Sequence, residues 1–114
     1  MERKIEASLS IEDGVHKGVI LKLEERINPY KYIDVFIEFE KGKRIKSSYP
    51  DCLTAESKLG KLLTRFGCDV SITDKVIKLD EYLLNRTCQF QTVKEGKFWN
   101  VVEGSLKPVE NGNN

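Results

Sequence analysis

Apolar and polar residues alternate with a period of two along much of this chain, which is typical of β-strands that bury one face. Residues 18–27 predict a first strand, and residues 44–49 predict a third. The alternation is clearest between them, in residues 30–40, where the predicted core-facing side chains are Ile33, Val35, Ile37 and Phe39. Short turns separate the three segments, so the pattern predicts an antiparallel meander.

The first predicted strand sets a register that the structure can test. Strict alternation places Val19, Leu21 and Leu23 toward the core. Ile20 then points away from the core, as Phe36 does on the second strand. Apolar side chains that point outward on two long strands would also favour self-association. We therefore expect that the protein can form a homo-oligomer.

The period changes to that of a helix after residue 53, with apolar positions at Leu59, Leu62, Leu63 and Phe66. Thr54 is the predicted N-cap, and Gly67 is the predicted stop because glycine adopts the left-handed conformation at little cost. Residues 69–81 predict a loop, with one helical turn near 79–83. Residues 86–94 and 97–106 predict two closing strands around a tight turn.

The order strand-strand-strand-helix-strand-strand predicts an all-β domain of the OB-fold class. This is a five-stranded Greek-key β-barrel with one helix between strands 3 and 4. Closure of the barrel would protect the edges of the long apolar second strand. The alternative is an α+β sandwich in which the helix packs on an open antiparallel sheet. We expect an N-terminal arm at 1–16, the OB-fold domain at 17–108 and a frayed C-terminal tail at 109–114.

Composition narrows the classes of function. Nineteen Lys and Arg residues nearly balance 18 Asp and Glu residues in a chain of 114, which excludes a uniformly basic coat but allows a local basic face. Three cysteines without a CxxC pair, and a single histidine, do not make a four-ligand zinc site, so we expect no metal and no cofactor. No segment has the apolar length of a membrane span. The odd cysteine count and the lack of a secretion signal predict a cytoplasmic protein.

Several segments together resemble a known family. They are LTAESKLGKLLTRFG at 53–67, LDEYLLN at 79–85 and RTCQFQTVKEGKFWNVVEGSLKP at 86–108. These segments are similar to a family of OB-fold single-stranded-DNA-binding proteins from phages and mobile elements, and the resemblance covers residues 17–108. The chain departs from that family at Asn85, where glycine is expected, and at 109–114, which lacks a long acidic tail. The resemblance implies binding of single-stranded DNA in replication or recombination, with proteins of those processes as further partners.

No catalytic motif accompanies this pattern, so the sequence predicts that the protein is not an enzyme. Four carboxylates in and beside the predicted loop leave a small hydrolase or nuclease as the weakest hypothesis: Asp69, Asp74, Asp80 and Glu81. We expect these carboxylates to be solvated. His16 is predicted to lie at the surface, and Cys52, Cys68 and Cys88 are predicted to be packing residues.

Cations and aromatic residues give the clearest indication of binding. Lys41, Lys43, Arg44 and Lys46 form the most basic segment, and the face of the second strand that carries Phe36 is rich in aromatic rings. Bases stack on such rings in OB-folds, although acids on the same face would repel phosphate. Phe98 is predicted to point outward and its neighbour Trp99 inward. The predicted nucleic-acid-binding set is Lys22, Tyr30, Tyr32, Phe36, Lys43, Arg44, Lys46, Arg86, Gln89, Gln91, Lys97 and Phe98.

Two functions therefore compete. The first is binding of single-stranded nucleic acid without strong sequence preference, through a basic groove and aromatic stacking. The alternative is a protein–protein interaction or assembly module on the same barrel, which the balanced charge and the acids Asp34, Glu38 and Glu40 favour.

Overall fold

The protein is an all-β domain with one antiparallel sheet and two short helices. A computed structural model describes residues 1–3, 14–40 and 42–109. In this part of the chain no helix is long and apolar enough to cross a membrane. The elements are β1 (Gly14–Arg26), β2 (Tyr32–Phe39), β3 (Lys43–Pro50), α1 (Lys58–Arg65), α2 (Leu79–Leu83), β4 (Thr87–Glu95), β5 (Phe98–Val101) and β6 (Lys107–Pro108).

Strand β1 is shared by two neighbours. Its residues 18–26 pair with β2, and its residues 14–19 pair with β4. The sheet order is β3-β2-β1-β4-β5, with β6 beside β4. This confirms the predicted all-β class and the predicted meander. The sheet is open, because no strand pairing joins β3 to β5 among the described residues, although Cα atoms of the two strands approach within 8 Å.

A β-bulge at Leu21 corrects the predicted register of β1. Ile20 pairs with Ile37 and Lys22 with Phe36, so one extra residue is inserted between them. Ile20 is fully buried, whereas Val19 and Leu21 are 38% and 37% exposed. The prediction of Val19 and Leu21 as core residues, and of Ile20 as an outward residue, was therefore wrong. Strict alternation cannot hold across a bulge, which here places Ile20 and Leu23 on the same side.

The core lies between the inner side of the sheet and the two helices. The four β2 residues predicted to face inward are all buried, which confirms the register of that strand. The apolar stripe of α1 is buried as well, and Leu83 of α2, Phe90 of β4 and Leu106 complete the core. Phe36 is half-buried on the opposite side of β2, as predicted.

Helix α1 begins three residues later than predicted. Ser57 is the N-cap, and its Oγ accepts a hydrogen bond of 3.0 Å from the Gly60 amide. Thr54 instead accepts a hydrogen bond from the Ser57 amide, so it holds the loop ahead of the helix. A Cβ on Gly60 would collide with the Thr54 carbonyl oxygen, which explains glycine in the first turn. Gly67 ends the helix at φ +91°, as predicted.

The C-terminal strands are shorter than predicted. β5 ends at Val101, because a turn with Gly104 at φ +80° follows, and β6 then pairs with β4. The helical turn predicted near 79–83 is confirmed as α2. On β5, Phe98 is 74% exposed and Trp99 packs against the core, also as predicted.

His16 and Cys52 occupy the opposite environments to those predicted. His16 is buried against the rings of Phe39 and Phe90, with centroid distances of 5.1 and 5.8 Å. It is buried because β1 begins at Gly14 and alternation turns residue 16 inward. Cys52 is exposed in the loop after β3.

The other two thiols, those of Cys68 and Cys88, are buried as predicted. Burial raises the pKa of the Cys88 thiol to about 11. Residues 4–13 of the predicted N-terminal arm, Lys41 and the tail from residue 110 lie outside the described residues.

We expect Val35→Lys to unfold the domain, because Val35 is fully buried in the centre of the sheet and an unpaired ammonium has no partner there. The loss should exceed about 4 kcal/mol, whereas the matched Val19→Lys variant should stay within about 0.5 kcal/mol of the wild type. Urea unfolding followed by circular dichroism measures both. A stable Val35→Lys protein, or an unfolded Val19→Lys protein, would contradict the observed register.

Candidate nucleic-acid interface

Outward side chains of β1, β2 and β3 form one surface, here called the outer face. The strand register arranges these side chains in rows across the three strands. The first row is Lys22–Phe36–Lys46, the second is Glu24–Asp34–Ser48 and the third is Arg26–Tyr32–Pro50. Directly opposed residues on neighbouring strands lie about 5 Å apart at Cβ, so each row is a contact set.

The Phe36 row places an aromatic ring between two lysines. The Lys22 ammonium lies 4.7 Å from the centroid of the Phe36 ring, which is a cation–π contact. A hollow of about 420 Å³ opens beside this ring, and Lys22, Arg44 and Lys46 stand in its walls. The structure therefore brings four of the predicted site residues together.

The Tyr32 ring carries a cation that is held in place. The Arg26 guanidinium lies 4.7 Å from the ring centroid. Its Nε and Nη2 donate hydrogen bonds of 3.1 and 3.2 Å to the two carboxylate oxygens of Asp34. This two-point geometry fixes the guanidinium over Tyr32, whereas Lys22 is bound only to the exposed Glu24 at 2.8 Å. The cations over the Phe36 and Tyr32 rings are thus held to different degrees.

Asp34 is a buried structural residue of the outer face. Its side chain is only 5% exposed, and the Ser48 hydroxyl donates to it at 2.6 Å. Burial by itself would raise the pKa of this carboxyl, but the hydrogen bonds from Arg26 and Ser48 and the charge of Lys46 outweigh it and lower the pKa. The charge of Asp34 is largely neutralised by Arg26. Asp34 therefore acts as a structural residue that holds its neighbours in place.

The cations at the β2–β3 hairpin are partly matched by acids. Arg44 Nε lies 3.3 Å from Glu38, and Lys43 Nζ lies 2.7 Å from Glu40. Lys43, and then His16 Nδ1 at 2.6 Å, hydrogen-bond Glu40 and lower the pKa of its carboxyl. Lys46 differs, because within the described ranges no carboxylate oxygen lies within 4 Å of its ammonium. Lys46 is therefore the best-placed cation on the outer face for an anionic ligand.

Two loops extend this surface. Tyr30, in the loop between β1 and β2, is 71% exposed. Lys97 lies in the turn between β4 and β5, and the exposed Phe98 is the first residue of β5. A cleft of about 330 Å³ separates β3 from β5, and Lys46 lies in its wall as well as in that of the Phe36 hollow. Lys58 of α1 also lines the cleft. The outer face and the cleft are thus continuous at Lys46.

Three predicted site residues lie elsewhere. Arg86 donates to the Tyr82 carbonyl oxygen at 3.2 Å and lies 5.5 Å from the centroid of the Phe66 ring, so it faces the helices. Gln89 and Gln91 point outward from β4, as predicted. However, β4 lies on one side of β1 and β2 lies on the other. These three side chains do not join the outer face, because β4 pairs with the first half of β1.

Sequence reasoning missed several residues that belong to the candidate interface. Arg26 alternates with Lys22 and Glu24 on β1, so the period of two alone places it on the outer face. Lys58 has no local signal, since it reaches the cleft from a helix that begins eight residues after β3 ends.

The loop carboxylates do not converge. Asp69 accepts hydrogen bonds from the Ser71 hydroxyl and amide, which lower the pKa of its carboxyl. Within residues 1–3, 14–40 and 42–109, no three His, Cys, Asp or Glu side chains are placed to hold a metal ion. The geometry of the outer face suits reversible binding of a flat, anionic ligand.

No protein-family model matches this chain, and no curated protein sequence matches it significantly. The interface must therefore be interpreted from its own residues and geometry.

We expect Asp34→Asn to lower the free energy of unfolding by about 1–3 kcal/mol at neutral pH, because it removes two charge-assisted hydrogen bonds to Arg26. The lowered pKa gives the sign of the pH dependence. The stabilisation is complete above the unfolded pKa of about 3.9 and is lost as the pH falls through the folded value. Urea unfolding from neutral to acid pH should thus show the two proteins converging. Glu38→Gln, which breaks an exposed ion pair, is the control and should change little. Equal losses in both variants would contradict the structural role of Asp34.

Proposed function

We propose that this protein binds single-stranded nucleic acid, most specifically single-stranded DNA, without strong sequence preference and without catalysis, on a partly open OB-fold. The order of elements supports the fold: a meander, a helix and a closing hairpin, with β1 shared by β2 and β4. OB-folds are five-stranded Greek-key barrels that can be partly open, and here β3 and β5 face each other without pairing.

The observation that carries the proposal is the Phe36 row. An aromatic ring offers a stacking surface for any base, and lysines on both sides can bind the phosphates that flank that base. In OB-folds the face of strands 2 and 3 and the loops between strands 1 and 2 and strands 4 and 5 bind oligonucleotides. Phe36 lies on that face, the exposed Tyr30 lies on the first of those loops, and the exposed Phe98 begins β5 directly after the second.

Stacking on Phe36 requires the Lys22 ammonium to move. Besides the ring contact itself, Lys22 has an exposed ion pair with Glu24, and such pairs contribute about 0–1 kcal/mol. A base that stacks on the ring would displace the ammonium toward a neighbouring phosphate, where it regains a partner. Moving Arg26 away from Tyr32 would cost more free energy, because the buried Asp34 carboxylate would lose its cationic partner. Phe36 is therefore the main stacking platform, and Tyr32 contributes mostly through Arg26.

Exposed ion pairs let the surface bind phosphate despite its balanced charge. Glu38 remains about two-fifths exposed beside Arg44, so phosphate can compete for that guanidinium in solvent. At Lys46, which lines the hollow beside Phe36, phosphate can bind the ammonium without displacing a carboxylate of the described residues. Handling of exposed strands in replication or recombination is the setting that we propose, on the basis of the sequence resemblance.

An assembly module is the second candidate function. Val15, Val19 and Leu21 are exposed in a row along the outward side of β1, and they offer apolar surface that a second copy or another protein could cover. The residues of this row differ from those of the Phe36 row, which makes the two functions separable by substitution.

We expect Phe36→Ala to weaken oligo-dT binding by about 1–3 kcal/mol, the usual contribution of one stacked base. Tyr32→Ala should cost no more than about 1 kcal/mol, because Arg26 already covers one side of that ring. Fluorescence anisotropy with oligo-dT, oligo-rU and a duplex of matched length measures both effects and the choice of nucleic acid. Sedimentation velocity on the same variants provides the control. Intact oligo-dT affinity of Phe36→Ala, together with a change from oligomer to monomer in a Val15→Ser/Val19→Ser variant, would instead indicate the assembly function.

We expect Lys46→Gln to reduce the slope of log K against log salt by about 0.7, the counterion release for one phosphate on a single strand. Lys43→Gln is the matched control and should change the slope less, because Glu40 already binds that ammonium. Titrations at several salt concentrations give both slopes. Equal slopes for Lys46→Gln and the wild type would show that Lys46 does not contact a phosphate.

A further inference from the structure

A second row of cations lies on the opposite side of β1 from β2. Lys17 of β1 pairs with Gln89 of β4, and Gln89 pairs in turn with Lys107 of β6. All three side chains point away from the core, because the preceding residues His16, Cys88 and Leu106 are buried. The result, here called the Gln89 row, is an amide between two ammonium groups across three strands. It has the same layout as the Phe36 row, with an amide in place of the ring.

Two adjoining hollows open on the Gln89 row. They measure about 390 and 210 Å³ and share Gln89 and Lys107 in their walls. Arg65 of α1 borders the larger hollow, and Gln91 and Ser105 border the smaller one. None of the described residues that line the two hollows is a carboxylate. This distinguishes the Gln89 row from the outer face, where most cations already have an acidic partner.

We propose that the Gln89 row is a second contact site for the same single strand, which binds its sugar–phosphate backbone after the strand leaves the outer face. This inference rests on the proposed function and extends it, because it sets the length of strand that one molecule covers. Lys17 and Lys107 would each bind a phosphate. Gln89 would hydrogen-bond the sugar or a base edge between those phosphates.

The chemistry of the row favours nucleic acid over an acidic protein segment. A glutamine amide both donates and accepts hydrogen bonds, and a nucleotide offers partners of both kinds. A carboxylate side chain only accepts, so in an acidic protein segment only main-chain N–H groups could donate to the amide oxygen of Gln89, whereas a nucleotide offers donors on its sugar and base edges.

The route between the two rows follows β1. Lys22 of the Phe36 row and Lys17 of the Gln89 row belong to the same strand, roughly 17 Å apart at about 3.3 Å per residue. Val19 and Leu21 lie exposed between them and carry no charge, and Glu38, opposite Val19 on β2, is paired with Arg44. A short oligonucleotide can therefore occupy the outer face alone, whereas a longer one reaches the Gln89 row.

The test compares the wild type with a Lys17→Gln/Lys107→Gln double variant on oligo-dT of increasing length. Lengths from about 4 to about 16 nucleotides span the site sizes known for one OB-fold. For the longest oligonucleotides we expect a several-fold loss of affinity and a salt slope lower by about 1.4, because two phosphate contacts are removed. For the shortest we expect no change. Lys75→Gln/Lys78→Gln, which removes two exposed lysines just before α2, is the charge-matched control and should bind like the wild type at every length.

A second variant tests the amide itself. Gln89→Glu keeps the size of the side chain and places a carboxylate between the two ammonium groups, so it should weaken only the long oligonucleotides, as the double variant does. Thermal melting of each variant checks that the fold is intact.

The outcomes separate this proposal from the one it rests on. If the wild type binds oligo-dT but the double variant is unchanged at every length, the outer face stands and the second site is wrong. If the wild type binds no oligonucleotide, the proposed function itself fails. Binding of a poly-glutamate peptide that the double variant abolishes, without any length-dependent effect on oligo-dT, would assign the row to an acidic protein segment and overturn the proposal.

Discussion

The β-bulge at Leu21 allows one strand to serve two partners. Before the bulge β1 pairs with β4 through residues 14–19 and with β2 through residues 18–20. Beyond the bulge, its pairing among the described residues is with β2. At the transition, the amide and carbonyl of Ile20 hydrogen-bond to Arg86 and Asn85 in the turn before β4. Asn85 adopts φ +62° there, which asparagine tolerates better than most residues. The enclosed core, the outer face and the Gln89 row all follow from this bend.

Burial decides what each acid on the outer face does. Asp34 is enclosed by Arg26 and Ser48, so its charge is used within the protein and holds the guanidinium over Tyr32. Glu24 and Glu38 stay in solvent, where water and salt weaken their hold on the neighbouring cations. A nearly neutral chain can thus present cations to an anionic ligand. The acids beside the aromatic rings are therefore no strong argument against nucleic-acid binding.

The two proposed contact rows share one design. In each, residues of three adjacent strands place a central side chain between two lysines, and β1 supplies one lysine to both. The central side chain differs, an aromatic ring in one row and an amide in the other. Stacking suits the ring, and hydrogen bonding to sugar or base edges suits the amide. On this view β1 forms the path between a base-stacking site and a backbone-binding site.

The sequence alone determined the elements whose pattern is local. The period of two fixed the inward face of β2, helical spacing fixed the buried stripe of α1, and Gly67 marked its end. The same pattern failed at Val19, Ile20 and Leu21, because a bulge changes the period without a distinctive residue. Only the tertiary structure decided that Lys22 and Lys46 flank Phe36, or that Lys17 and Lys107 flank Gln89. Those neighbours are far apart in the chain, and register between strands is set by the packing of the whole sheet.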